Sequence, residues 1–236
     1  MADERRKLPT ESNDAEIAEF LNKAAAMAPL AGGAGKGRLI FALDATASRE
    51  PTWDQACDIQ AEMFSETAEL GTLAVQLAYY RGFREFRATG FETDSQGLLD
   101  RMIRVRCLGG RTQIAKVLQH ALDETAREKV NALVFVGDCC EENVDELGHI
   151  AGELGLHGLP VFMFHEGGEP GAERIFRQIA KLSGGAYCRF NAGSAKLLRE
   201  LLSAVAVYAV GGRPALENFH KRAGRAVLQL PGPSGR

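Results

Sequence analysis

No apolar stretch in this chain is long enough to cross a bilayer. The longest, Leu201 to Val210, is interrupted by Ser203 and reaches half of the roughly 20 residues a helical span requires. The start, MADERRKLPT, has no apolar signal core. Cysteine is sparse as well: Cys57, Cys107, Cys139, Cys140 and Cys188 are odd in number and never fall in a CxxC spacing, which argues against a disulfide framework. A reducing cytoplasm is the expected compartment. Neither sign of charge dominates, since 28 Lys and Arg against 31 Asp and Glu leave a net charge of −3, a balance that argues against nucleic-acid binding. The sequence has no internal repeat and no low-complexity tract.

What is present is a globular balance, 45% hydrophobic and 25% charged, in 236 residues. A chain of this size class buries roughly 70% of its unfolded surface and needs no covalent staple. Composition divides it into three parts. Residues 1–37 form an arm in which Ile17, Phe20, Leu21, Ala24 and Met27 make one helical stripe, with Asp14 as its cap. Pro29 ends that helix, and a glycine-rich tether, AGGAGKG, follows. Residues 38–211 alternate apolar strands with amphipathic helices. Residues 212–236 carry five basic side chains against one acidic and show no core periodicity, as expected of a basic, flexible tail.

Within the central part, Leu39 to Leu43 is a continuous apolar run suited to a strand covered on both faces. Thr52 and Gln55 match a capping box ahead of a helix with Trp53, Ala56, Cys57, Met63 and Phe64 inward. Strands at 72–80 and 83–88, separated only by Arg81 and Gly82, predict a tight hairpin. Further strands are expected at 132–137, 159–164 and 186–190, and helices at 94–106, 112–128, 142–156, 170–182 and 194–210. The pattern predicts a doubly wound, Rossmann-like sheet of six strands, mostly parallel with one antiparallel member and helices on both faces.

Such sheets bind ligands beyond the carboxyl ends of their strands, where strand order reverses. Three polar segments fall there. Asp44, Thr46 and Ser48 alternate after the first strand and would face one way in an extended loop. Thr112 follows Gly109-Gly110-Arg111 at a helix start, and Asp138 follows the strand ending at Gly137. Taken singly, each has a plainer role: Thr112 and Asp138 are both suitable helix caps.

In this order the residues resemble the metal ion-dependent adhesion site of von Willebrand factor A domains. That family has DxSxS after its first strand, a threonine in a GG-x-T-like loop and an aspartate after its fourth strand. The closing SGGAYCRFN, Ser183 to Asn191, resembles the family's last strand. The likeness spans about residues 38–210. Thr46 stands where the family has serine, and Cys139 where a glycine often follows the aspartate. The resemblance implies that Asp44, Thr46, Ser48, Thr112 and Asp138 hold a hard divalent cation, Mg²⁺ or Mn²⁺, with hydroxyls binding it directly and the aspartates acting largely through water. Neutral hydroxyl ligands leave the cation's charge incompletely balanced, so an aspartate or glutamate of a protein partner is attracted to the open position. Bacterial members often act beside AAA-type ATPases, which makes such a complex a candidate partner. No catalytic residue is implied.

Other signals are weaker. Gly32 to Gly37 lacks the strand and the Ser/Thr of a phosphate loop, and it reads as linker. His165-Glu166-Gly167-Gly168-Glu169 is not a zincin motif and reads as a loop. Cys139 and Cys140 have no histidine at ligand spacing and read as incidental thiols. Arg81, Arg84, Arg87, Arg101, Arg104, Arg106 and Arg111 make a basic region, ordinarily a solvated face but also suited to an acidic protein or a phosphate group. Two functions compete with the adhesion site. A phosphohydrolase of haloacid dehalogenase type also starts from an aspartate after the first strand, yet it wants a proton-transferring residue where Thr46 stands. A metal-free scaffold is the other.

Overall fold

The computed structural model describes residues 36–52 and 72–190, together with 205, 206 and 209. The predicted arm helix, the helix after Thr52, most of the helix at 194–210 and the basic tail lie outside the described residues. Six strands form one sheet: β1 (Lys36–Asp44), β2 (Thr72–Arg81), β3 (Glu85–Ala88), β4 (Ala132–Gly137), β5 (Val161–Glu166) and β6 (Tyr187–Phe190). Their order is β3-β2-β1-β4-β5-β6, with every neighbouring pair parallel except β2 and β3. Order reverses between β1 and β4, so the switch point lies at the carboxyl ends of those two strands.

Between the strands run α1 (Ser95–Ile103), α2 (Ile114–Arg127), α3 (Val144–Leu156) and α4 (Pro170–Ser183), with a 3-10 helix at Ala47–Thr52. Their inward stripes follow the sequence period: Ile114, Val117, Leu118 and Ala121 on α2, Leu147, Ile150, Ala151 and Leu154 on α3, and Ala172, Ile175, Phe176 and Ile179 on α4. These stripes share one core with Ile40, Ala42, Tyr80, Leu133, Phe135 and Met163 from the sheet. Phe135 stacks with Tyr80 and meets Phe176 edge-on, with centroids 6.3 and 5.6 Å apart. The opposite sheet face, with Leu39, Phe41, Leu43, Val134, Val136, Phe162 and Phe164, is equally buried, as are Val205, Ala206 and Ala209. This is why β4 reads ALVFVG with no polar alternation.

Three local expectations change. β2 runs on through Arg81 and β3 starts at Glu85, so the hairpin turn is Gly82-Phe83-Arg84 rather than two residues. The Arg81–Glu85 ion pair at 3.0 Å fixes that register, and Gly82 adopts a φ of 58°, where a side chain would be strained. α1 stops at Ile103 instead of 106. There the chain tightens, with Arg104 N donating to Arg101 O and Val105 N to Met102 O. Finally, β5 extends through His165 and Glu166, pairing them with Arg189 and Phe190, so only Gly167 and Gly168 of the predicted loop form its turn while Glu169 caps α4.

Candidate metal centre at the switch point

Parallel pairing of Leu43 with Val136 sets Asp44 beside Gly137, and Asp138 follows one residue later. Asp44 is fully buried. Its Oδ1 accepts from Thr46 N at 2.8 Å, and its Oδ2 accepts from the Tyr80 hydroxyl at 2.8 Å. Ala45 N donates to Tyr80 O at 2.9 Å, so β2 holds the loop from behind. Burial pushes the Asp44 carboxyl above its ordinary value, hydrogen bonds from Thr46 and Tyr80 oppose this, and the Asp138 carboxylate adds to the rise.

The first loop does not stay extended, as the alternation suggested. The Asp44–Thr46 bond turns the chain and the 3-10 helix begins at Ala47. Thr46 and Ser48 hydroxyls nevertheless converge, 3.1 Å apart, with Thr46 buried and Ser48 exposed. A local turn, not strand alternation, brings them together.

The other two segments are tied to each other. Thr112 is buried, and its hydroxyl accepts from Glu141 N at 3.1 Å, which ties its loop to the one carrying Asp138. Neither Thr112 nor Asp138 caps a helix. Ahead of α2 the cap position is Gln113, and the Glu142 carboxylate accepts from Ile114 N and Ala115 N, the latter at 2.9 Å. Ahead of α3 the cap is Asn143, accepting from Asp145 N and Glu146 N. Asp138 Oδ1 is buried without a hydrogen-bond partner. An acceptor-only carboxylate oxygen left so is expensive unless a cation or water meets it.

Arg49, which the sequence did not single out, and His165, which it read only as part of a loop, complete the arrangement. Arg49, directly after Ser48, is 2% exposed and forms an ion pair with Glu166 at the end of β5. Burial lowers its guanidinium's affinity for the proton, while Asp138 and Asp44 raise it, so an internal cation stands near both aspartates. Its position beside the motif was the available signal. His165 is fully buried, with Nε2 3.2 Å from Asp138 O and Nδ1 2.9 Å from the Tyr187 hydroxyl. A histidine inside the apolar run VFMFH is itself a signal of this kind. Burial pushes Cys139 up to about 12 and Cys107 and Cys140 to about 11, so none of the three is an activated thiolate. Among the described residues no group of three or more His, Cys, Asp and Glu is arranged to hold a metal. The donor set here is therefore two carboxylates with hydroxyls, hard oxygens throughout, which suits Mg²⁺ or Mn²⁺ rather than a soft ion.

No family model and no curated protein matches the chain. Solved structures do. The chain has the von Willebrand factor A fold. It is similar to the SpRpn10 VWA domain, with a TM-score of 0.56 at 11% identity, covering 75% of this chain and 97% of that one. An aerotolerance-related membrane protein from Bacteroides fragilis gives 0.55 at 16% identity, covering 70% of this chain and 98% of its own. Proximal thread matrix protein 1 from the mussel byssus, with a zinc-occupied adhesion-site motif, gives 0.56 at 15% identity, covering 73% of this chain and 46% of its own. Identities of this order establish the shared fold alone. Among the described residues no helix is long and apolar enough to cross a membrane.

Proposed function

We propose that this protein is a divalent-cation-dependent protein-interaction module rather than an enzyme. Asp44, Thr46, Ser48, Thr112 and Asp138 would hold Mg²⁺ or Mn²⁺, and an aspartate or glutamate of a partner protein would complete the site. The observation that carries this reading is the partnerless, buried Oδ1 of Asp138 beside the buried carboxyl of Asp44, with the Thr46 and Ser48 hydroxyls paired nearby. When bound, the cation would supply an incompletely neutralised positive charge for an incoming carboxylate. The protein's own contribution is orientation: Tyr80 and the Thr46 amide fix Asp44, and the Glu141 amide fixes Thr112. The zinc-occupied motif of the mussel protein lends support to a divalent ion at a site of this kind. An AAA-type ATPase complex in the cytoplasm is the partner setting we favour. Thr46, a hydroxyl where a phosphohydrolase wants a proton-transferring group, weighs against hydrolysis.

Calorimetric titration of Mg²⁺ and Mn²⁺ into the full chain tests the site. We expect saturable binding and a metal-induced rise in Tm that Asp44→Ala and Asp138→Ala abolish while each variant still unfolds cooperatively. No heat and no Tm shift with the wild-type chain would overturn the reading. A second reading, a metal-free scaffold, draws on Arg49: its buried guanidinium already offers Asp44 and Asp138 a counter-charge. Under that reading neither ion changes Tm.

A further inference from the structure

Apolar and basic side chains share the surface beside the candidate metal centre. The β2–β3 turn exposes Phe83, at 74%, and Arg84. The segment after α1 lies against it: Gly82 N donates to Leu108 O at 3.4 Å, Arg111 N to Gly82 O at 3.2 Å, and Arg81 Nη1 to Arg106 O at 2.9 Å. Gly110 permits that approach, since a Cβ there would stand 1.9 Å from Gly82 O. Leu108 N in turn donates to Ala45 O at 3.0 Å, between Asp44 and Thr46, so this surface abuts the first loop of the site. Leu108 is 45% exposed, and Arg84, Arg106 and Arg111 are exposed too. Glu85 is already engaged by Arg81 and Arg87, whereas among the described residues no carboxylate pairs with Arg84, Arg106 or Arg111.

We infer that this patch docks an acidic segment of a partner protein that also carries an apolar side chain. Arginine and aromatic side chains are enriched where proteins meet, and an exposed phenylalanine next to an exposed leucine has apolar area to bury only against a partner with the same. Three arginines without carboxylate partners call for negative charge. The form of that charge follows from the neighbours. Asp44 and the exposed Glu50 act on Cys107, the residue before Leu108, so acidic groups border the patch and disfavour a continuous phosphate backbone. A peptide with spaced carboxylates meets the arginines and avoids the acids. The inference rests on the adhesion-site reading only for the carboxylate delivered to the cation; the patch stands on its own geometry.

The test uses the full chain and fluorescence polarisation with short labelled synthetic peptides. One alternates Glu with Leu and Phe, one carries Lys in place of Glu, and one carries Ser in place of Leu and Phe. Each is measured in Mg²⁺ and in EDTA. The acidic-apolar peptide should bind about tenfold or more tighter than either control. Arg84→Glu with Arg111→Glu, and separately Phe83→Ser, should each cost about tenfold both in Mg²⁺ and in EDTA. Asp138→Ala should remove only the Mg²⁺-dependent part. Binding that EDTA abolishes and the patch variants leave untouched overturns the patch while the metal reading stands. Binding that follows the patch variants and ignores EDTA and Asp138→Ala keeps the patch and sinks the metal reading. Equal binding of the lysine peptide, or tighter binding of a single-stranded oligonucleotide that the same variants abolish, overturns the acidic-peptide assignment. So does a gain in affinity when Glu11→Gln, Asp14→Asn, Glu16→Gln and Glu19→Gln are combined, because the chain's own arm would then be the occupant.

Discussion

At the scale of single residues, the site is held by side chains that do not themselves face a cation. The carbonyl of Asp138 can only accept, so His165 Nε2 carries the ring proton and Nδ1 accepts from the Tyr187 hydroxyl. That chain fixes the backbone from which the Asp138 carboxylate projects. His165→Phe should therefore weaken Mg²⁺ binding by about tenfold with cooperative unfolding retained, and His165→Gln, which restores a donor, should recover part of the loss in the same calorimetric titration. Equal affinity in all three proteins would show that Asp138 needs no such support. Tyr80→Phe deletes a buried donor to Asp44 and should cost about 1–3 kcal/mol in denaturant unfolding. Arg49→Met removes the ion pair with Glu166 and a buried counter-charge for Asp44 and Asp138, so the metal-free protein should lose about 3 kcal/mol. If Arg49 also shields the aspartates, Mg²⁺ should raise the variant's Tm more than the wild type's.

At the scale of elements, the caps decide which polar residues remain available to a ligand. Threonine at 112 and aspartate at 138 precede helices and look like caps in sequence. Cap assignment from sequence is local, however, and the donors of α2 are met by Glu142, from a loop 28 residues away along the chain. That distant carboxylate relieves Thr112 of the task, and Asn143 relieves Asp138. Glu142→Ala should cost about 0.5–2 kcal/mol by uncapping α2 in chemical denaturation, an effect Thr112→Ala should not reproduce through the helix. The helical stripes and the apolar β4 were legible because burial on a 3.6- or two-residue period leaves its mark directly in composition. The hairpin turn and the 3-10 segment were not, because an ion pair between Arg81 and Glu85 and a single bond from Thr46 N to Asp44 set them.

At the scale of the molecule, burial of neutral histidines couples stability to pH. His120, half-buried on α2 and donating from Nε2 to Gln76 Oε1 at 2.8 Å, has its pKa lowered by burial. A folded value below the ordinary 6.5 means that the unfolded chain binds the proton more tightly. The contribution is thus fully present above that value and is lost as pH falls through it towards the lowered one. Denaturant unfolding between about pH 7.5 and about pH 5.5 should show wild-type stability falling more steeply than that of His120→Gln. The arm raises a separate question of autonomy. Lys36 and Gly37, read from sequence as arm, pair with Thr72 and Leu73, so removal of residues 1–35 is the cut that spares β1. That truncated chain should remain soluble and unfold cooperatively; an aggregated product would place the arm in the core.

The sequence by itself determined the alternation of strand and helix and the class of sheet, because both follow from short-range apolar periodicity. It also determined the hard-oxygen character of the candidate site, since Asp44, Thr46, Ser48, Thr112 and Asp138 offer no soft donor. Only the tertiary structure decided that β1 and β4 lie side by side, so that Asp138, far from Asp44 in the chain, comes close enough to help push the Asp44 carboxyl up. Only it placed Arg49 and Glu166 together, and joined Phe83 and Arg84 to Leu108 and Arg111 on one surface. Such pairings depend on strand order and loop closure, whose cost and reward are set by the whole chain at once, and no local pattern encodes them.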